Sequence, residues 1–117
     1  MPKANHNEAH SHLVRELRLN LGNLPDLVLW PNSSGVATFG KAKVRYGLAK
    51  GSADLVGILA PSGRFVAIEV KTGQAVTTAE QVLFLALVRR NGGFAAVVRS
   101  LEEGFAAIER ARQGLTE

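Results

Sequence analysis

The chain of 117 residues is 46% apolar and 21% charged, with fourteen Lys and Arg against ten Asp and Glu for a net charge of +4. That length is expected to form one domain, residues 1–117, burying roughly two-thirds of its unfolded surface without covalent staples. The lack of cysteine excludes disulfide frameworks, thiolate zinc sites, iron–sulfur clusters and cysteine nucleophiles.

The segment from about Glu8 to Leu21 carries Ala9, Leu13, Leu17 and Leu21 at steps of four, the stripe of an amphipathic helix that Gly22-Asn23 ends. Asp26 to Trp30 reads as a short strand, stopped by Pro31-Asn32-Ser33-Ser34-Gly35. Gly35 to Gly51 is rich in glycine and cations and reads as a surface loop or ribbon, with at most a short strand around Val44-Arg45-Tyr46. Asp54 to Leu59 and Phe65 to Val70 flank Pro61-Ser62-Gly63, a hairpin signal. A second helix then opens, where Thr77 or Thr78 makes a capping box with Glu80 or Gln81 three residues on. It runs to about Asn91, before Gly92-Gly93. Phe94 to Arg99 is a strand and Leu101 to Arg112 a last helix. The second helix holds the longest apolar run, Val82 to Val88, far short of the roughly 20 residues of a bilayer span. A run apolar on every side is expected to lie between the sheet and the last helix; the alternative is that one face meets a second copy of the chain. The first residues, Met1-Pro2-Lys3-Ala4-Asn5, lack a signal peptide's apolar stretch, so a cytoplasmic protein with no membrane partner is expected.

The charge is unevenly placed. Between Leu27 and Ala79 stand six cations, Lys41, Lys43, Arg45, Lys50, Arg64 and Lys71, against two acids, Asp54 and Glu69. Such a segment concentrates polyanions. Glu69 lies inside the apolar run Val66 to Val70, where a carboxylate is costly unless it is paired or holds a metal. Side chains alternate along a strand, so Glu69 and Lys71 share a face, and the hairpin sets Asp54 across from the end that carries them. Two carboxylates and a lysine thus converge at one end of a sheet. A plain ion pair of Lys71 with either acid explains part of this pattern. Two hard oxygen ligands also suit Mg²⁺ when a phosphate completes the coordination, and Lys71 would hold the attacking water or offset charge on the phosphorane.

Gly51-Ser52-Ala53-Asp54, then Glu69-Val70-Lys71, then Gln81 early in a helix, resembles the PD-(D/E)xK nuclease superfamily, and within it the VRR-NUC (virus-type replication-repair nuclease) domain. The likeness runs from about Glu8 to Glu103 and includes Trp30-Pro31-Asn32-Ser33-Ser34-Gly35; Ala53 stands where proline is usual. The resemblance implies an α/β, restriction-endonuclease-like αβββαβ core, a mixed central sheet flanked by helices. It also implies a Mg²⁺-dependent phosphodiesterase, with Mn²⁺ as a substitute. In that reading Asp54, Glu69 and the Val70 carbonyl are metal ligands, Lys71 is catalytic and Gln81 supports the site. A further glutamate from the first helix is usual; spacing favours Glu8 as ligand, while the helical wheel brings Glu16 nearer the apolar stripe. Similar stand-alone viral or bacterial domains resemble junction-resolving nucleases and tend to be homodimers, which places the protein in a bacterial or phage-infected cytoplasm.

The expected function is metal-dependent hydrolysis of DNA, preferring structured or branched substrates. Asn32, Ser34, Lys41, Lys43, Arg45 and Lys50 are expected to contact nucleic acid, the cations by holding phosphates without reading sequence. The alternative is a DNA-binding accessory protein that does not cut. Gly35 to Lys41 matches most of a phosphate-binding loop, but Ala42 replaces the metal-binding hydroxyl, and no nucleotide cofactor is expected. His6, His10 and His12 read as an exposed polar helix start rather than a metal site, since no third ligand stands near the His6/His10 pair.

Overall fold

The computed structural model describes residues 6–117; Met1–Asn5 and the His6 side chain, and with them the polar N-terminus and one member of the histidine trio, lie outside the described residues. The elements run α1 (His6–Leu21), β1 (Leu27–Pro31), β2 (Gly35–Phe39), β3 (Ala42–Tyr46), β4 (Leu55–Leu59), β5 (Arg64–Val70), α2 (Ala79–Arg90), β6 (Phe94–Val98) and α3 (Leu101–Arg112). The main sheet has the order β1-β4-β5-β6. Its first two pairings are antiparallel and β5/β6 is parallel, with α2 as the crossover between them. Omitting β2 and β3, this is the expected restriction-endonuclease-like αβββαβ core.

Alternation along β5 divides the molecule. Val66, Ile68 and Val70 face α1 and α3, where Leu13, Leu17 and Leu21 pack with Phe94, Ile108 and Ala111 in the larger core. Ala67 faces α2 and joins Ala53, Ala95, Leu85 and Val88 in a smaller one. Glu69 falls on this second face, buried to 2% exposure at the end of the strand. Across the molecule, Arg112 in the last turn of α3 closes a two-bond pair on Asp26, 2.8 and 2.9 Å, tying the helix to the entry of β1.

Two expectations are corrected. Of the loop or ribbon expected after Gly35 the structure shows the ribbon, with two strands where at most one was expected: β2 and β3 pair in register from Gly35↔Tyr46 to Phe39↔Ala42 as a separate two-stranded sheet. Gly40-Lys41 makes its two-residue turn, with Gly40 at φ 63°, a conformation that favours glycine at the first turn position. No residue of β3 is buried, so the strand leaves no inside–outside signal in the sequence. Residues 35–41 are therefore strand and turn, not a phosphate-cradling loop. Helix α2, for its part, does not lie between the sheet and α3. It packs on β5 and β6 from the opposite face, burying Leu85 and Val88 and leaving Val82, Leu83 and Leu87 exposed, Leu83 to 69%. The part of that sheet face not covered by α2 exposes Val28, Trp30, Ile58 and Phe65.

Candidate active site

The site forms where β4 begins and β5 ends. The pairing Leu55↔Ile68 sets Asp54, one residue earlier, across from Glu69, one residue later. Asp54 Oδ2 accepts a hydrogen bond from the Val70 N–H at 2.9 Å, which fixes the carboxylate against the strand that carries Glu69. Lys71 Nζ stands 3.7 Å from Glu69 Oε1, and its side chain is only 12% exposed. From the other side Gln81 Nε2 donates to the same Oε1 at 3.3 Å.

Gln81 reaches that position because it also caps its helix. Thr78 is the N-cap: its hydroxyl accepts from the Gln81 N–H at 3.2 Å, and Gln81 Oε1 accepts from the Thr78 N–H at 2.9 Å. Of the two threonines offered by the sequence, Thr78 with Gln81 is the pair that forms. With its oxygen engaged at the cap, the amide's nitrogen end is directed at Glu69.

Glu69 is under electrostatic stress. Burial, then the charge of Asp54 beside it, raise its carboxyl from the ordinary value of 4.5 to about 8, with Lys71 pulling the other way but losing. Its second oxygen, Oε2, is buried and has no hydrogen-bond partner among the described residues. A buried acceptor with nothing to accept from, next to a second carboxylate, calls for a positive centre between the two. A proton meets that need in the free protein; a divalent cation meets it better, because both groups are hard oxygen donors. The residues present thus fit Mg²⁺ or Mn²⁺. Among the described residues no group of three or more His, Cys, Asp and Glu side chains is placed to hold a metal, so two carboxylates are what the side chains offer.

Residues 39–102 match the VRR-NUC domain, just over half of the chain. The chain belongs to the VRR-NUC family. No curated protein matches it. VRR-NUC domains are nuclease domains, so the chemistry is hydrolysis of nucleic acid, with DNA the implied substrate. The matched segment holds Asp54, Glu69, Lys71 and Gln81 together with β3, and stops short of α1.

Other sequence candidates of this VRR-NUC chain take different places. Asn32 is engaged within the protein: its amide donates to Ser52 Oγ at 2.9 Å and to the Ala53 carbonyl at 2.8 Å, and its N–H to the Asp54 carbonyl at 2.8 Å. Ser52 in turn donates to Ser34 Oγ at 3.4 Å. Residues 32–34 thus stitch down the segment that delivers Asp54. Lys41, Lys43 and Arg45 are exposed on the β2–β3 hairpin, while Lys50 pairs with Glu80 at 3.4 Å. Glu8 is exposed in the first turn of α1, and Glu16 pairs with His12 at 3.4 Å.

One site residue escapes a reading of the sequence. His10, half-buried, brings Nε2 to 3.2 Å from Asp54 Oδ2, so it is not part of a merely solvated helix start. Glu8 stands two positions earlier, about 200° away around the helix, so the side of α1 that meets Asp54 is the side of His10. The contact spans 44 residues and leaves no local signal.

Proposed function

We propose that the protein is a Mg²⁺- or Mn²⁺-dependent endodeoxyribonuclease that cuts structured or branched DNA in the manner of a Holliday-junction resolvase, acting as a homodimer in a bacterial or phage-infected cytoplasm. The observation that carries the reading is the buried, unpartnered Glu69 Oε2 beside Asp54. Asp54, Glu69 and the Val70 carbonyl hold the metal. When bound, the ion supplies a Lewis acid for the phosphoryl oxygen and activates water for attack. Lys71, held near Glu69, orients that water or offsets charge gathering on the phosphoryl oxygens. Gln81 keeps Glu69 turned toward Asp54, and Glu8 serves as an outlying carboxylate of the first helix, as the family resemblance implies.

Dimerisation is supported by the uncovered apolar surface. Val82, Leu83 and Leu87 on α2 and Val28, Trp30, Ile58 and Phe65 on the sheet lie on the same face of the molecule, and an apolar surface of that kind favours a partner. The branched substrate rests on the resemblance to junction-resolving nucleases, whose paired sites suit paired strands.

Incubating the pure protein with a labelled four-way junction and a plain duplex, with and without Mn²⁺, tests the proposal. Cutting that requires the metal and favours the junction is expected, with a dimer by light scattering. Binding without cleavage in any metal would make the chain an accessory protein instead.

Lys43 and Arg45 project from one side of β3, with Lys41 at the turn. Replacing all three by alanine is expected to weaken binding to every sequence alike and to flatten the dependence of log K on log salt by roughly 2 to 3, about 0.9 for each phosphate no longer neutralised. A titration over several salt concentrations checks this; an unchanged slope removes the hairpin from the interface.

A further inference from the structure

An open groove of about 380 Å³ runs along α1 and ends on Asp54. Its walls include His10, Arg15 and Arg18 from α1, and Asn32 and Ser33 from the segment after β1. Neither the Arg15 nor the Arg18 side chain makes a hydrogen bond or ion pair among the described residues. In that they differ from Arg64, Arg89, Arg99 and Arg112, each engaged by carbonyls or carboxylates of the fold. Arg18 lies in the last turn of α1, where a cation complements the helix dipole, but Arg15 lies upstream of that turn and lines the same groove. Two unengaged guanidinium groups therefore flank a channel whose far end is a carboxylate of the active site.

We propose that this groove carries the backbone of the DNA strand that enters the active site, with Arg15 and Arg18 as positioning residues that hold its phosphates. This inference rests on the nuclease reading of Asp54 and Glu69 and extends it to the path of the substrate. At 1.5 Å per residue, Arg15 and Arg18 stand about 7.5 and about 12 Å along the helix from His10, set back from the Asp54 end of the groove. A guanidinium suits the task because its fork of N–H donors matches a phosphate's oxygens. The acidic end of the channel accepts a phosphate only where a cation neutralises it. The groove therefore guides a strand toward the metal site without competing with it. His10 also lines a second depression with Asn7, Lys71, Thr72 and Ala75, so the strand has an exit on the Lys71 side.

Binding to a labelled junction and duplex, measured in chelator so that nothing is cut, tests the groove directly. The Arg15→Ala/Arg18→Ala variant is expected to bind at least about tenfold more weakly at moderate salt, with a slope shallower by about 2. Arg15→Lys/Arg18→Lys should recover most of the affinity. Arg90→Glu, which removes the same net charge at the far end of α2, should leave the slope unchanged. In Mn²⁺ the double-alanine variant should show its loss mainly as a raised KM for the junction, by about the factor lost in binding; a loss in kcat alone with KM unmoved would count against the groove. An unaltered affinity and slope in the double variant, or an equal loss in Arg90→Glu, would overturn the proposal. Since the binding arm needs no cutting, a wild-type protein that fails to cleave would sink the nuclease reading separately, while the salt slope still decides the groove.

Discussion

Asp54→Ala and Lys71→Ala are each expected to abolish cutting while leaving fold and DNA affinity largely intact. Asp54 offers one of the two carboxylates facing the proposed metal position, and among the described residues no group of three or more His, Cys, Asp and Glu is placed to hold a metal without it. Its removal leaves the Val70 N–H without its acceptor. It also removes the charge that presses on Glu69, so the two effects on stability partly offset. Lys71→Ala deletes a preorganised positive charge, a change that typically lowers turnover by about 10²–10³-fold. Single-turnover cleavage of a labelled junction in Mn²⁺, beside binding in chelator and thermal melts, reads all three quantities. Either variant cutting at near the wild-type rate would show that the chemistry is carried elsewhere.

The metal-free protein is expected to lose stability as pH rises from about 4.5 to about 8. The folded chain keeps the Glu69 proton until about pH 8, whereas the unfolded chain releases it near the ordinary value of 4.5. Over that window the folded state binds more protons, so each step up in pH favours unfolding. The stability is fully present below the lower limit and lost through the upper one, for a total of a few kcal/mol. Glu69→Gln, neutral at every pH, should remove this slope and leave a protein more stable than the wild type in mild alkali, though inactive. Mn²⁺ acts in the opposite sense, because it binds the deprotonated carboxylate and stabilises the folded state by mass action. Its effect on the melting temperature should therefore grow with pH in the wild type and be small in Glu69→Gln. Melts across this range check both statements; a wild-type profile that stays flat while Glu69→Gln matches it would show that Glu69 is not buried with its proton.

The site is legible in the sequence where its geometry is local. A hairpin with a short Pro61-Ser62-Gly63 turn permits few registers, so Asp54, Glu69 and Lys71 converge by strand alternation alone; Gln81 is legible there as one of two capping residues, and its place at the site only through the family resemblance. What escapes depends on contacts between distant segments. His10 meets Asp54 only because α1 crosses the end of the sheet, which no periodicity within the helix encodes. The cations of β3 and a short strand around Val44 are legible in the sequence, but its partner β2 is not, since a ribbon with no buried residue has no burial pattern to read. The side taken by α2 is equally hidden. A helix apolar all round states that something covers it but not which part, and here the sheet covers Leu85 and Val88 while leaving Leu83 bare. The bonds that tie the Asn32 and Ser34 side chains to Ser52 and Ala53 are also hidden, since they join segments some twenty residues apart.

The two ends of the Gln81 amide join helix capping to the aim of Glu69, so the first turn of α2 works as a latch. Gly51, at φ 84°, leans on the Glu80 backbone there, and Lys50 pairs with its carboxylate, so the chain leading to Asp54 rests on the same turn. Fraying of a few residues at that point would take the Gln81 amide from Glu69 and loosen the chain before Asp54 at once, without disturbing the leucine-rich core on the far side of the sheet. Thr78, exposed at the head of that turn, is thereby expected to influence turnover through how firmly it holds the helix's opening coil.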